Sequence, residues 1–219
     1  MLAFDKPAGL AVQGGAGVSE SLEDLLKAYA KPGKPLKLVH RLDRETSGVI
    51  IVAKNRTSAA ALSKSFESRD AIKTYLAIVC GTVEEEQGMI KTPLKKISQK
   101  GVDMMRAARA SEQGALAATT KYRVLNIGQG CAAVALMPET GRMHQLRAHM
   151  AILGNPIAGD GKYGGLFALG KTKVPSLMLH AFTLAIPHPK GGMLDLRAAP
   201  PLAFRKTCAA LGLTMDVFA

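Results

Sequence analysis

Hydrophobic and polar positions alternate between two periods along the chain. Leu22, Leu25, Leu26 and Tyr29 recur at i, i+3, i+4 and i+7 and predict a helix. Ser19 or Ser21 can cap it, and Lys31-Pro32-Gly33 ends it. A second helix is predicted over Thr57–Phe66, with Thr57 as its cap. A third is predicted over Arg142–Leu153, where Met143, Leu146, Met150 and Leu153 are apolar and Gly154 follows. Period-two or continuously apolar runs predict strands at Leu2–Phe4, Val49–Val52, Ile72–Cys80 and Leu177–Ile186. Within Ile72–Cys80, Lys73, Tyr75, Ala77 and Val79 share one face. Thr119–Ile127 and Cys131–Met137 flank Gly128-Gln129-Gly130 and predict a hairpin. Gln13–Gly17 reads as a flexible loop, Glu84-Glu85-Glu86 as a solvated turn, and the basic stretch 91–114 as an exposed excursion. Strands outnumber helices and hairpin-length turns join several of them. The expected class is therefore α+β, a mixed, largely antiparallel sheet with flanking helices. Without an internal repeat or a long linker, residues 1–219 are expected to form a single domain.

Composition adds a partner. The 29 basic residues outnumber the 17 acidic ones, for a formal net charge of +12. The excess is even, +4 in each of 1–80, 81–150 and 151–219, so it describes a folded basic surface rather than a tail. Such a surface attracts polyanions, nucleic acid first among them. No apolar run approaches the roughly 18 to 20 residues of a membrane span, and the N-terminus does not read as a secretory signal. Cys80, Cys131 and Cys208 are scattered and build neither a disulfide framework nor a CxxC site, which fits a cytoplasmic protein. His144 and His149 would point about 140° apart on a helix and cannot share a metal, so none is expected. Gly159-Asp160-Gly161-Lys162-Tyr163 fails as a phosphate loop, because Pro156 replaces the first glycine and Tyr163 the Ser/Thr. No GxSxG supplies a serine nucleophile.

Three clusters carry candidate chemistry. In His40-Arg41-Leu42-Asp43-Arg44-Glu45-Thr46-Ser47-Gly48, two arginines flank an aspartate before an apolar strand. Positive neighbours favour the ionised carboxylate, which can serve as nucleophile or base; a structural knot of ion pairs is the alternative. In Gly141–His149, Arg147 falls at the edge of an apolar stripe, where a half-buried guanidinium needs an acidic partner. Asp43 is one candidate for that partner, and a snorkelling arginine is the other reading. In Lys73-Thr74-Tyr75-Leu76, a tyrosine beside a cation suits stacking on a base near a phosphate.

Together these clusters resemble the RluA-type pseudouridine synthases. His40–Gly48 is similar to the signature HRLDxxTSG, Lys73–Ala77 to KxYxA, Gly141–His149 to GRxHQ(I/L)RxH, and Leu177–Ala181 to LxLHA. The resemblance implies the pseudouridine synthase fold with a central catalytic cleft. It implies isomerisation of uridine in RNA without a cofactor or metal. A monomer is expected. It assigns Asp43 as the catalytic carboxylate, nucleophile or base, and Arg147 as its partner. Tyr75 would stack on the target base, Leu179 would pack the pocket, and Arg41 would fill the gap left by the flipped nucleotide. Met143 stands where many relatives have Thr, and Gln13 where many have His. The small N-terminal RNA-binding domain of many relatives is expected to be absent. The basic segment Lys91–Arg109 resembles the ribosomal large-subunit enzymes, the C type in particular, so ribosomal RNA is the expected target and transfer RNA the alternative. A non-catalytic RNA-binding or ribosome-assembly protein is the rival class, since it would need the basic face alone.

Overall fold

The computed structural model describes residues 1–15, 17–99 and 101–214. In chain order the elements are β1 (Leu2–Lys6), α1 (Leu22–Tyr29), β2 (Lys37–Leu38), β3 (Ser47–Ala53), α2 (Arg56–Glu67), β4 (Ile72–Cys80), β5 (Gln87–Ile90), β6 (Leu94–Gln99), β7 (Val102–Ala107), β8 (Ala115–Leu116), β9 (Thr120–Gly128), β10 (Cys131–Pro138), α3 (Gln145–Ile152), β11 (Ala168–Leu169), β12 (Thr172–Lys173), β13 (Leu179–Pro187), β14 (Met193–Arg197) and α4 (Leu202–Ala210). The fold is mixed α+β and its strand pairings are largely antiparallel. The chain forms two compact units: Met1–Lys73 with His180–Pro200, and Thr74–Leu179 with the segment from Pro201.

The first unit is built on β3, which has no charged side chain and is buried along its whole length. β1 pairs with it antiparallel, Leu2 opposite Val52 through Lys6 opposite Gly48. β13 joins it in parallel at two positions only, His180 opposite Ser47 and Ala181 opposite Gly48. Val49, Ile51, Leu62, Leu184 and Ile186 form the core, with Phe66 and Val39 against it. Ser21 caps α1 and, with Asp24, completes a capping box, so the second of the two candidate caps is used. α2 begins one residue earlier than expected. Its cap is Asn55, whose Oδ1 accepts the Ser58 N–H at 2.8 Å, and not Thr57.

Gly48 shows why the signature ends in glycine. Its φ is +113°, and a Cβ there would lie 2.1 Å from the Ala181 carbonyl oxygen. Gly48→Ala is therefore expected to pry β13 from β3 and destabilise the protein by roughly 3–5 kcal/mol. Urea unfolding measures this; a loss near that of an exposed strand substitution would refute the close-packing argument.

In the second unit β10 pairs with β4 and with β9, and β5 closes the far side of β9, all antiparallel. The predicted β9–β10 hairpin is present. The stretch 91–114 is not a loose excursion. β6 and β7 form a hairpin, β8 pairs the other edge of β6, and Leu94 and Met105 pack with Ala118 and Ala148 into a small core. β6 and β7 each bury one residue and β8 none, which is why the periodicity of that sheet is faint. Lys100 of this stretch, and Ala16 of the Gln13–Gly17 loop, lie outside the described residues.

α3 starts at Gln145, three residues later than predicted. The Gln145 side chain accounts for the delay. Its Oε1 accepts the Arg142 N–H at 3.0 Å, and His144 adopts a left-handed conformation with φ 47°. Gln145–Met150 are all buried, polar residues included, whereas Ile152 and Leu153 are exposed. The helix is thus embedded by nearly its whole circumference rather than by the one stripe predicted. α4, β14 and the short strands β11 and β12 had no clear signal in the pattern.

Candidate active site

The loop before β3 is fastened from three directions. His40 Nε2 accepts the Ile51 N–H at 2.9 Å, and the ring stacks on Phe66 at 4.6 Å. The Ser47 hydroxyl lies 2.9 Å from His180 Nδ1, while His180 Nε2 faces the Ala198 carbonyl at 2.9 Å. A carbonyl can only accept, so Nε2 carries the proton and Ser47 donates to Nδ1. The two distant motifs therefore meet in this unit: Ser47-Gly48 of the signature against His180-Ala181 of the late strand. Beneath the loop, Lys6 is completely buried and donates to the carbonyls of Pro7, Leu10 and Arg44 at 2.8–3.0 Å. Burial lowers its ammonium to about 8, against the opposing pull of the Glu45 and Asp43 charges.

Asp43 opens a tight turn on this scaffold, its carbonyl accepting the Thr46 N–H at 3.0 Å, and it is half-buried. Arg41 is exposed. Arg44, the second flanking arginine, is engaged locally. Its Nε–H goes to the Gly9 carbonyl at 3.0 Å, and it pairs with Glu45 at 3.6 Å. Lys6 is a buried cation that feels the Asp43 charge, and it lies outside the motifs.

Tyr75, Arg147 and Leu179 belong to the second unit. Tyr75 is half-buried on β4 opposite Leu136, and Leu179 is buried at the start of β13. Arg147 is buried on α3, more deeply than its place at the edge of the apolar stripe implies, and has an acidic partner. That partner within the unit is Asp160. Nε and Nη2 reach its two carboxylate oxygens at 2.8 and 2.7 Å, a two-point pair whose side chains are 7% and 0% exposed. Asp160 stands in the glycine-flanked stretch that failed as a phosphate loop; a short-loop aspartate between glycines was its only signal. The polar residues flanking Arg147 are scaffold. Gln145 Nε2 donates to the Thr119 carbonyl and to Thr120 Oγ1, both at 3.0 Å. Thr120 Oγ1 in turn donates to His149 Nδ1 at 2.8 Å, and His149 Nε2–H donates to the Thr92 carbonyl at 3.0 Å.

These contacts make His40, His149 and His180 dependent on being neutral. Burial lowers all three below the ordinary imidazole range, His40 to about 3 with Lys73 adding to the effect. Each folded-state value is depressed, so the unfolded chain binds protons first as pH falls below about 6.5. Stability is complete above that point and declines toward pH 3, by several kcal/mol in total on the order expected from such shifts. Urea midpoints between pH 7 and 4 check this. His180→Gln should flatten the slope, and a flat profile in the wild-type protein would contradict the neutral assignment.

Comparison with known proteins agrees with this architecture. Residues 1–152 match the family described as RNA pseudouridylate synthase. The ribosomal large subunit pseudouridine synthase C of Rickettsia bellii is 37% identical over 208 residues, covering 94% of this chain and 67% of that protein. The protein of the same name from Pasteurella multocida is also 37% identical, covering 92% and 62%. The chain thus spans about two thirds of the length of these relatives or slightly less. The structure of human RNA pseudouridylate synthase domain containing 4 superposes with a TM-score of 0.81 at 30% identity, over 97% of this chain and 90% of that one. The chain belongs to the RNA pseudouridylate synthase family.

Proposed function

We propose that this chain isomerises specific uridines of large-subunit ribosomal RNA to pseudouridine, in the cytoplasm and without a cofactor. The observation that carries the reading is Asp43: a half-buried carboxylate on a turn locked by Lys6, Ser47–His180 and Gly48. Family membership and the names of the bacterial relatives support the substrate class.

In this reading the target nucleotide leaves its stack, at a cost of a few kcal/mol that phosphate contacts on the +12 chain offset. Asp43 acts at the ribose as the N-glycosidic bond breaks. The detached uracil turns, C5 bonds to the sugar carbon, and the proton lost from C5 is replaced by one on the freed nitrogen, so the reaction is an isomerisation. Arg147 orients Asp43, Tyr75 stacks on the base, Leu179 packs beside it, and Arg41 occupies the space the nucleotide vacated.

Tritium release from RNA labelled at uridine C5 tests the assignment. Release from large-subunit ribosomal RNA transcripts is expected, with transfer RNA a much poorer substrate. Equal release from transfer RNA would move the substrate assignment, and none from either would refute the activity.

A further inference from the structure

Tyr163 joins two elements of the second unit through a single oxygen. The backbone N–H of Met105 on β7 donates to its phenol at 2.7 Å, and His144 Nδ1 lies 3.0 Å from the same atom. The His144 ring meets it edge-on at 5.7 Å, and the Arg147 guanidinium carbon sits 5.2 Å from its ring centre. Asp160 holds that guanidinium from another side by two hydrogen bonds, and its Oδ1 also accepts the N–H groups of Lys162 and Tyr163 at 3.0 and 3.2 Å. A two-point carboxylate fixes a guanidinium within its plane, and an aromatic face limits its tilt. His144 has a left-handed backbone, which a non-glycine residue keeps only where its surroundings hold it. The phenol provides one such hold immediately before α3, three residues from Arg147.

We propose that Asp160 and Tyr163 are positioning residues for Arg147, with the β6–β7 hairpin as the anchor that holds the Tyr163 phenol. The proposal rests on the reading that Arg147 serves Asp43. It adds that the arginine's orientation is set by the Gly159–Tyr163 loop rather than by α3 alone.

Single-turnover rates and RNA dissociation constants, measured separately on the full chain with a ribosomal RNA transcript, test it. Tyr163→Phe keeps the ring and loses both phenol bonds; Tyr163→Leu loses the ring as well; Asp160→Asn loses the charge. The expected falls in the chemical step are about 10-fold for Tyr163→Phe and about 100-fold for each of the others, with RNA affinity within about twofold of wild type. Tyr163→Phe is the deciding variant if the other two fold poorly. A Tyr163→Phe rate within twofold of wild type would overturn the proposal. So would a loss of rate matched by an equal loss of RNA affinity and by early melting, which marks a merely structural role. Both outcomes presuppose a wild-type chain that turns over and an Asp43→Asn chain that does not. An inactive wild type would instead remove the functional reading, and the proposal with it.

Discussion

Asn at position 43 is expected to reduce turnover of ribosomal RNA by at least about 10³-fold, the scale on which removal of a reacting carboxylate acts. The substitution keeps the size of the side chain and removes its charge. The Asp43–Thr46 turn is made by backbone atoms, so the loop is expected to keep its shape. Urea midpoints report whatever the lost charge does to stability, apart from the rate. RNA affinity should also persist, because phosphate contacts across the basic surface dominate it. The three measurements together separate chemistry from folding and binding. Wild-type tritium release from a folded Asp43→Asn protein would eliminate the carboxylate as the reacting group and favour a purely RNA-binding role.

The second large effect concerns stability. Arg147→Met should cost roughly 3–5 kcal/mol, because it strands the buried Asp160 carboxylate without its two-point cationic partner. Much of that cost is the penalty of an uncompensated charge rather than the worth of the ion pair itself. Adding Asp160→Asn to Arg147→Met removes the charge, while the amide oxygen can still accept from the Lys162 and Tyr163 N–H groups. The double variant should regain at least half of the lost stability although neither native partner remains. Denaturant midpoints for the two singles and the double complete the cycle. A double variant less stable than Arg147→Met would show that the pair contributes through packing instead.

Local features of this fold are legible in the sequence and long-range ones are not. The limits of α1 and β4 emerge directly from the pattern, because a helical period, a serine cap and strict alternation are properties of adjacent residues. The cap of α2 is ambiguous in the sequence because Asn55-Arg56-Thr57 offers two capping side chains, and the structure uses the first. The sheet over 94–116 leaves little trace in the sequence because its core takes only Leu94 and Met105 from β6 and β7. At the candidate site, Asp43, Tyr75 and Arg147 stand out through motif and spacing. Their supports do not. Asp160 lies 13 residues beyond Arg147, and Lys6 lies 38 residues before the carbonyl it grips at Arg44. Sequence proximity cannot encode either pairing; what it does encode is that a buried charge requires a partner somewhere.

The first unit is discontinuous, since residues 180–200 return to a body begun by residues 1–73. During synthesis all of residues 74–178 leave the ribosome before β13 arrives to meet Ser47 and Gly48. Until then Leu184 and Ile186 are missing from the core around Val49 and Ile51, leaving apolar surface open while the nascent chain lengthens. A stalled or truncated product ending before His180 would thus be sticky and a natural client for chaperones. Late strand closure, rather than helix formation, would set the pace at which the protein matures.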